Sequence, residues 1–123
     1  MKNTSIILSA LLALFITTAC SSQKSAATAA AEKTATFKVL GNCGMCQKTI
    51  QTTALKAGAS KASWDVETHV LTVSYKAEKT NVEQMQEAIA KSGYDTPLFK
   101  TTEATYNKLH GCCQYDRTES LVQ

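Results

Sequence analysis

The chain has 123 residues, 44% of them hydrophobic and 19% charged, with a single Pro, which is room for one small domain and not for two. Its 13 Lys and Arg against 10 Asp and Glu give a net charge of +3, with no run of basic residues able to follow a phosphate backbone, so nucleic acid is not an expected partner. Five Cys are too sparse for a fold built on disulfides, and they read as sites rather than staples.

Lys2 followed by the stretch Ile6 to Ile16, apolar except at Ser9, has the order of a secretory leader and is well short of the about 20 residues that span a bilayer. Thr17-Thr18-Ala19-Cys20 then resembles the lipobox of bacterial lipoproteins, where small residues precede a Cys that is diacylated and becomes the new N-terminus. That resemblance makes residues 1–19 a signal peptide and Cys20 the lipidation site. It implies an exported chain, anchored to a bacterial membrane through lipid and facing the periplasm. An ordinary small-x-small cleavage site, with Cys20 incidental, is the alternative. Residues 20–34 contain nothing large to bury and read as a tether.

From Ala35 the pattern changes. Phe37 and Val39 alternate with Thr36 and Lys38 up to Leu40, the period of a half-buried strand. Beyond a loop holding Gly41 and Gly44, residues 46–57 lack Gly and Pro and set Ile50, Ala54 and Ala57 along one helical face, ending at Gly58. Ala62, Trp64 and Val66, then Leu71, Val73 and Tyr75, alternate on either side of Glu67-Thr68, which predicts a hairpin. Thr80 and Glu83 have capping-box spacing ahead of Val82, Met85 and Ile89, a second helix running to Gly93. Tyr94 to Phe99 is expected as a final strand, on a sheet edge because Pro97 has no N–H to give.

The predicted order is βαββαβ, the α+β ferredoxin-like plan, over residues 35–100. Its four-stranded antiparallel sheet carries two helices on one face. The expected core is Phe37, Val39, Ile50, Trp64, Leu71, Val73, Met85 and Ile89.

Gly41-Asn42-Cys43-Gly44-Met45-Cys46 lies between the first strand and the first helix. A C-x-x-C there aims two sulfurs at one point, and the free N–H groups of the helix start favour thiolate. Two thiolates select a soft ion such as Cu(I) over Mg²⁺ or Ca²⁺. The flanking glycines are expected to keep the loop close to the metal.

This arrangement resembles the heavy-metal-associated domain family, which includes copper chaperones and periplasmic mercury-binding proteins. The likeness is carried by the C-x-x-C at the strand-to-helix junction, Ile50, Trp64-Asp65, and Ala88-Ile89 leading to Ser92-Gly93-Tyr94. It implies metal ligation by Cys43 and Cys46, with Gly41, Gly44, Met45 and Tyr94 supporting the site. Tyr94 reads equally as a core aromatic. The Met that the family places two positions before the first Cys is missing here, and Met45 sits between the cysteines instead. An inert disulfide and a thioredoxin-like redox pair are the rival readings of the motif.

Residues 101–123 extend past the domain. Thr101 to Leu109 is expected to be a short helix with Tyr106 and Leu109 inward, followed by His110, Cys112 and Cys113 as additional metal or redox groups. A vicinal disulfide, or a pairing of either Cys with Cys43 or Cys46, is the alternative. His69 reads as an ordinary exposed strand residue and Lys48 as an exposed helix lysine. The reading that follows is an exported soft-metal carrier, not an enzyme. Its ion is Cu(I) before Hg(II) or Zn(II), passed to a metal-transporting or metal-accepting protein by thiolate exchange. Its rival is a thiol-disulfide exchange protein using Cys43 and Cys46.

Overall fold

The computed structural model describes residues 30–122. The expected signal peptide, Cys20 and residues 20–29 of the tether lie outside that range. Within it the chain forms β1 (Glu32–Lys38), α1 (Gly44–Lys56), β2 (Ala59–Trp64), β3 (Val70–Lys76), α2 (Val82–Lys91), α3 (Glu103–Tyr106) and a single 3-10 turn at Gly111–Cys113. The sheet is antiparallel in the order β1-β3-β2.

Side-chain alternation decides which face is buried. Phe37 pairs with Leu71 and Ala35 with Val73 across β1 and β3, while Trp64 pairs with Leu71 and Ala62 with Val73 across β2 and β3. These rows join Ile50 and Ala54 of α1 and Met85 and Ile89 of α2 in one core, so both helices cover the same face. Thr36, Ser63 and Thr72 on the other face are exposed. All eight residues expected in the core are buried. β1 starts three residues ahead of the expected Ala35, because Glu32, Lys33 and Thr34 pair with Lys76, Tyr75 and Ser74. Their side chains are exposed, so backbone bonds, with one side-chain bond from Ser60 Oγ to the Glu32 carboxylate, hold them and no apolar pattern announces them.

Two local expectations change in detail. Val66 belongs to the β2–β3 turn and not to a strand, since the Asp65 carboxylate accepts from Glu67 N, Thr68 N and Thr68 Oγ1 and curls the chain there. The α2 cap is Asn81, whose Oδ1 accepts from Gln84 N at 2.9 Å. Thr80 is buried with its hydroxyl unpartnered and forms no capping box.

The fourth strand does not form. Leu40 N donates to Asp95 O at 3.0 Å, the first rung of the expected ladder, and the chain then turns away. Thr96 N donates to Phe99 O at 2.8 Å, Phe99 N to Thr96 Oγ1 at 3.1 Å, and Leu98 N to Gln86 Oε1 at 3.1 Å. The donors that a strand would offer β1 are thus used within a turn or on the Gln86 side chain of α2, and Pro97 has none. The observed sheet has three strands.

The C-terminal extension packs on the domain at that point. Asp95, 1% exposed, takes a two-pronged contact from Arg117, Nε to Oδ2 at 2.8 Å and Nη2 to Oδ1 at 3.0 Å. Its Oδ1 also accepts from Thr101 N at 2.8 Å. Arg117 further reaches Thr101 O and Glu103, and lies over the Tyr106 ring. The Tyr115 hydroxyl accepts from Asp95 N at 2.8 Å and donates to Gly93 O at 3.0 Å. Gly93 has φ +113°, and a Cβ there would come within 2.8 Å of Leu109 Cδ2. That glycine therefore both ends α2 and admits the returning tail. Tyr106 and Leu109 pack against the core as expected.

His69 is not an ordinary exposed residue. It has φ 59°, stacks on Trp64 with an interplanar angle of 4°, and sets Nδ1 2.9 Å from Glu119. The tail thus closes over the hairpin end as well.

Removing one partner of a buried ion pair leaves the other unpaired away from water. Arg117→Ala is expected to cost about 3 kcal/mol of unfolding free energy. Lys91→Ala, which breaks the exposed pair with Glu87, should change stability by less than about 0.5 kcal/mol. Urea titrations of the two variants measure the contrast.

Candidate metal centre

The loop between β1 and α1 is shaped from below by Trp64. Its indole N–H donates to Val39 O at 3.0 Å. Its backbone is held by two α1 glutamines, Gln47 Nε2 donating to Trp64 O at 2.8 Å and Gln51 Oε1 accepting from Trp64 N at 2.9 Å. Those bonds satisfy polar groups on the outer edge of β2 and fix the ring. Gly41 lies against it, and a Cβ at that position would approach two ring atoms and Cys46 Cβ, each at 3.1 Å. A side chain at Gly41 would need the indole or Cys46 to give way by a few tenths of an ångström. At Gly44 a Cβ would meet nothing within 4 Å.

Cys43 is the N-cap of α1 and Cys46 lies in its first turn, as the C-x-x-C spacing predicts. Their Sγ atoms are 3.2 Å apart. Cys46 is fully buried and faces Asn42 Oδ1 at 3.5 Å, while Cys43 is half-buried. One sulfur is held and its partner can be reached from solvent. Burial pushes the Cys43 thiol up, but the N–H groups of Cys46 and Met45 and the thiols of Cys46 and Cys113 outweigh it and bring the group down to about 7. Tyr94 is buried beneath the pair with its hydroxyl toward Cys46 and Thr49. Burial raises its pKa strongly, as do the neighbouring Cys46 and Cys113, and it remains a neutral phenol. It is both things the sequence allowed, a core aromatic stacked on Tyr115 and a neighbour of the sulfur pair.

The tail contributes further sulfurs. Cys113 is buried and its Sγ lies 3.5 Å from that of Cys43, and Cys112 Sγ lies 3.9 Å from Cys113 Sγ. The Sγ atoms of Cys43, Cys112 and Cys113 all fall within 4.8 Å of one another. Among the described residues Cys43, Cys46, Cys112 and Cys113 carry free thiols. Met45 is exposed, and its Sδ lies 3.7 Å from Cys112 Sγ. His110 is exposed and lies outside the sulfur group; its carbonyl accepts from Cys113 N at 2.7 Å. Lys48 is exposed on α1.

The residues that place Cys113, namely Asp95, Tyr115 and Arg117, were not identified from sequence. Their signal is faint: two tyrosines and an arginine in a tail otherwise rich in small polar residues.

The two thiols at the ends of the pKa range should be separable chemically. In the reduced chain, iodoacetamide modification of Cys43, followed by peptide mass spectrometry, is expected to accelerate with a midpoint near pH 7 as thiolate forms. Burial, with Cys43 and Cys46 beside it, pushes Cys113 up to about 12. It should stay unmodified to about pH 10. Equal rates at the two positions at neutral pH would contradict this electrostatic asymmetry.

Residues 36–95 match the model of the heavy-metal-associated domain. Among solved structures, oxidized MerP from Ralstonia metallidurans CH34 is 32% identical, with a TM-score of 0.51, 54% of this chain and 94% of that one being covered. A CopZ metallochaperone is 29% identical, with a TM-score of 0.50 and coverage of 52% and 98%. The N-terminal domain of a potential copper-translocating P-type ATPase from Bacillus subtilis, in its Cu(I)-loaded state, is 26% identical, with a TM-score of 0.51 and coverage of 54% and 85%. The comparison with curated proteins gives no significant match. A three-stranded α+β domain with two main helices and a C-x-x-C at the start of the first, matched over nearly the whole of those structures, places this chain in the heavy-metal-associated domain family.

Proposed function

We propose that the chain is a carrier of Cu(I), held by Cys43 and Cys46 and handed on by thiolate exchange to a metal-transporting or metal-accepting protein. The observation that carries this reading is the asymmetry of the motif pair: Cys46 fully buried and fixed by the fold, and Cys43 half-buried, 3.2 Å away, with its thiol brought down to about 7. A soft d¹⁰ ion on two thiolates keeps room for an incoming thiolate. An acceptor can therefore join at the Cys43 side before the buried ligand lets go, and the ion need never be released to water. No covalent chemistry is required, which makes the chain a binding protein and not an enzyme. The relatives support the metal class, one being called a metallochaperone and another a domain of a copper-translocating ATPase in its Cu(I)-loaded state. Hg(II) and Zn(II) are the competing cargoes, and soft thiolate donors with no carboxylate among them rank Zn(II) below the other two.

The same lowered Cys43 thiol favours a second reading, thiol-disulfide exchange through the Cys43–Cys46 pair. Export and lipid anchoring at Cys20 belong to the proposal on the strength of the leader and the Thr18-Ala19-Cys20 sequence. Among the described residues, no helix is long and apolar enough to cross a membrane.

In a competition with bicinchoninate under reducing, anaerobic conditions, Cys43→Ser and Cys46→Ser are each expected to weaken Cu(I) binding about 100-fold, or about 2.8 kcal/mol. Unchanged affinity in the double variant, together with turnover in an insulin-reduction assay by the wild type, would establish the exchange reading instead. For the anchor, wild type is expected in the membrane fraction and Cys20→Ser outside it. A wild type recovered wholly in the soluble fraction would contradict lipidation.

A further inference from the structure

The sulfur atoms at this end of the molecule have a geometry that the motif pair alone does not use. Cys43 Sγ lies 3.2 Å from Cys46 Sγ and 3.5 Å from Cys113 Sγ. Cys112 Sγ lies 3.9 Å from Cys113 Sγ and within 4.8 Å of Cys43 Sγ. Cys43 and Cys46 thus form a pair of thiols, and Cys43, Cys112 and Cys113 form a triangle. The two share Cys43. Met45 Sδ stands beside the outer corner, 3.7 Å from Cys112 Sγ.

This is not a mobile tail brought near by chance. Cys113 is 3% exposed and belongs to the core, and the residues just after it are fastened by Tyr115 to Gly93 and Asp95 and by Arg117 to Asp95. The thiol is set against Cys43 by a buried network whose other end is the domain itself.

We propose that the C-terminal segment makes the motif into a binuclear Cu(I)–thiolate site. Cys43 bridges the two ions, Cys46 completes the inner pair, and Cys112 and Cys113, with the Met45 thioether beside Cys112, complete the outer triangle. A pair and a triangle that share one corner give the inner ion two sulfurs and the outer ion three, with one sulfur common to both. Charge favours the second ion. One Cu(I) on four thiolates would leave three formal negative charges in a part-buried site, and two ions leave two. Loading exchanges protons for metal: each thiol that ligates releases its proton, copper stays Cu(I), and no S–S bond forms. The proposal rests on the Cu(I) reading above and goes beyond it, because the motif pair by itself holds one ion.

The test is a titration of the full reduced chain with Cu(I) buffered by bicinchoninate, read by native mass spectrometry and by luminescence of shielded polynuclear Cu(I)–thiolate centres. Wild type is expected to saturate at two ions and to emit. Cys112→Ser/Cys113→Ser, checked for unchanged far-UV circular dichroism, should hold one ion and be dark. Cys112→Ala alone, at an exposed position where folding is not at stake, should also lose the second ion. Saturation of wild type at one ion, or two ions retained in the double variant, would overturn the binuclear site and leave the carrier reading standing. No bound Cu(I) in wild type would overturn both.

Discussion

The Asp95 carboxylate, buried at the end of the domain and gripped on both oxygens by Arg117, is the constraint from which the rest of this site follows. A carboxylate with 1% exposure is tolerable only when its charge and lone pairs are met, and the partners of its oxygens, Thr101 N and Arg117, both come from the C-terminal extension. Because the fold cannot leave Asp95 unpaired, the C-terminal segment is obliged to return to the end of the molecule where the C-x-x-C loop lies. The 3-10 turn at Gly111–Cys113 is carried there with it.

That one attachment also accounts for the missing strand. In the four-stranded plan the segment after α2 would pair along the free edge of β1. Here Asp95 makes the first backbone bond with Leu40 and is then committed, through its side chain and its own N–H, to Thr101, Arg117 and Tyr115. The next residues fold into the Thr96–Phe99 turn. Part of the vacated edge is met by the tail instead, since Lys38 Nζ reaches Ser120 O at 3.2 Å and Leu121 packs on the core. The expected strand and the observed tail compete for one place, and buried charge pairing outweighs a short ladder interrupted by Pro97.

What sequence made legible follows the same division. Elements defined by periodic apolar residues were readable: Phe37, Leu71 and Val73 by alternation, Ile50, Met85 and Ile89 by helical spacing, and Cys43 and Cys46 by a motif whose junction between strand and helix explains its chemistry. Features held by backbone or polar bonds were not. The first three residues of β1 carry no apolar signal, Asn81 rather than Thr80 caps α2, and His69 owes its place to stacking on Trp64 and to Glu119, fifty residues away in the chain. The Cys43–Cys113 contact lies across seventy positions, and nothing local in the His110-Gly111-Cys112-Cys113 sequence specifies which way its sulfurs turn. His110 looked like a ligand by proximity in sequence. A single turn leaves it facing solvent while its neighbour Cys113 faces the core.

The fold therefore divides the labour of the site. Trp64 and Gly41 set the height of the motif loop, the start of α1 lowers the Cys43 thiol, and the Asp95–Arg117 pair closes the tail over the pair of sulfurs. In the proposed carrier, sulfur alone surrounds the ion. X-ray absorption at the copper edge of the chain loaded with one equivalent of Cu(I) tests this most directly. A first shell made only of sulfur is the predicted result, and nitrogen or oxygen in that shell would contradict the account.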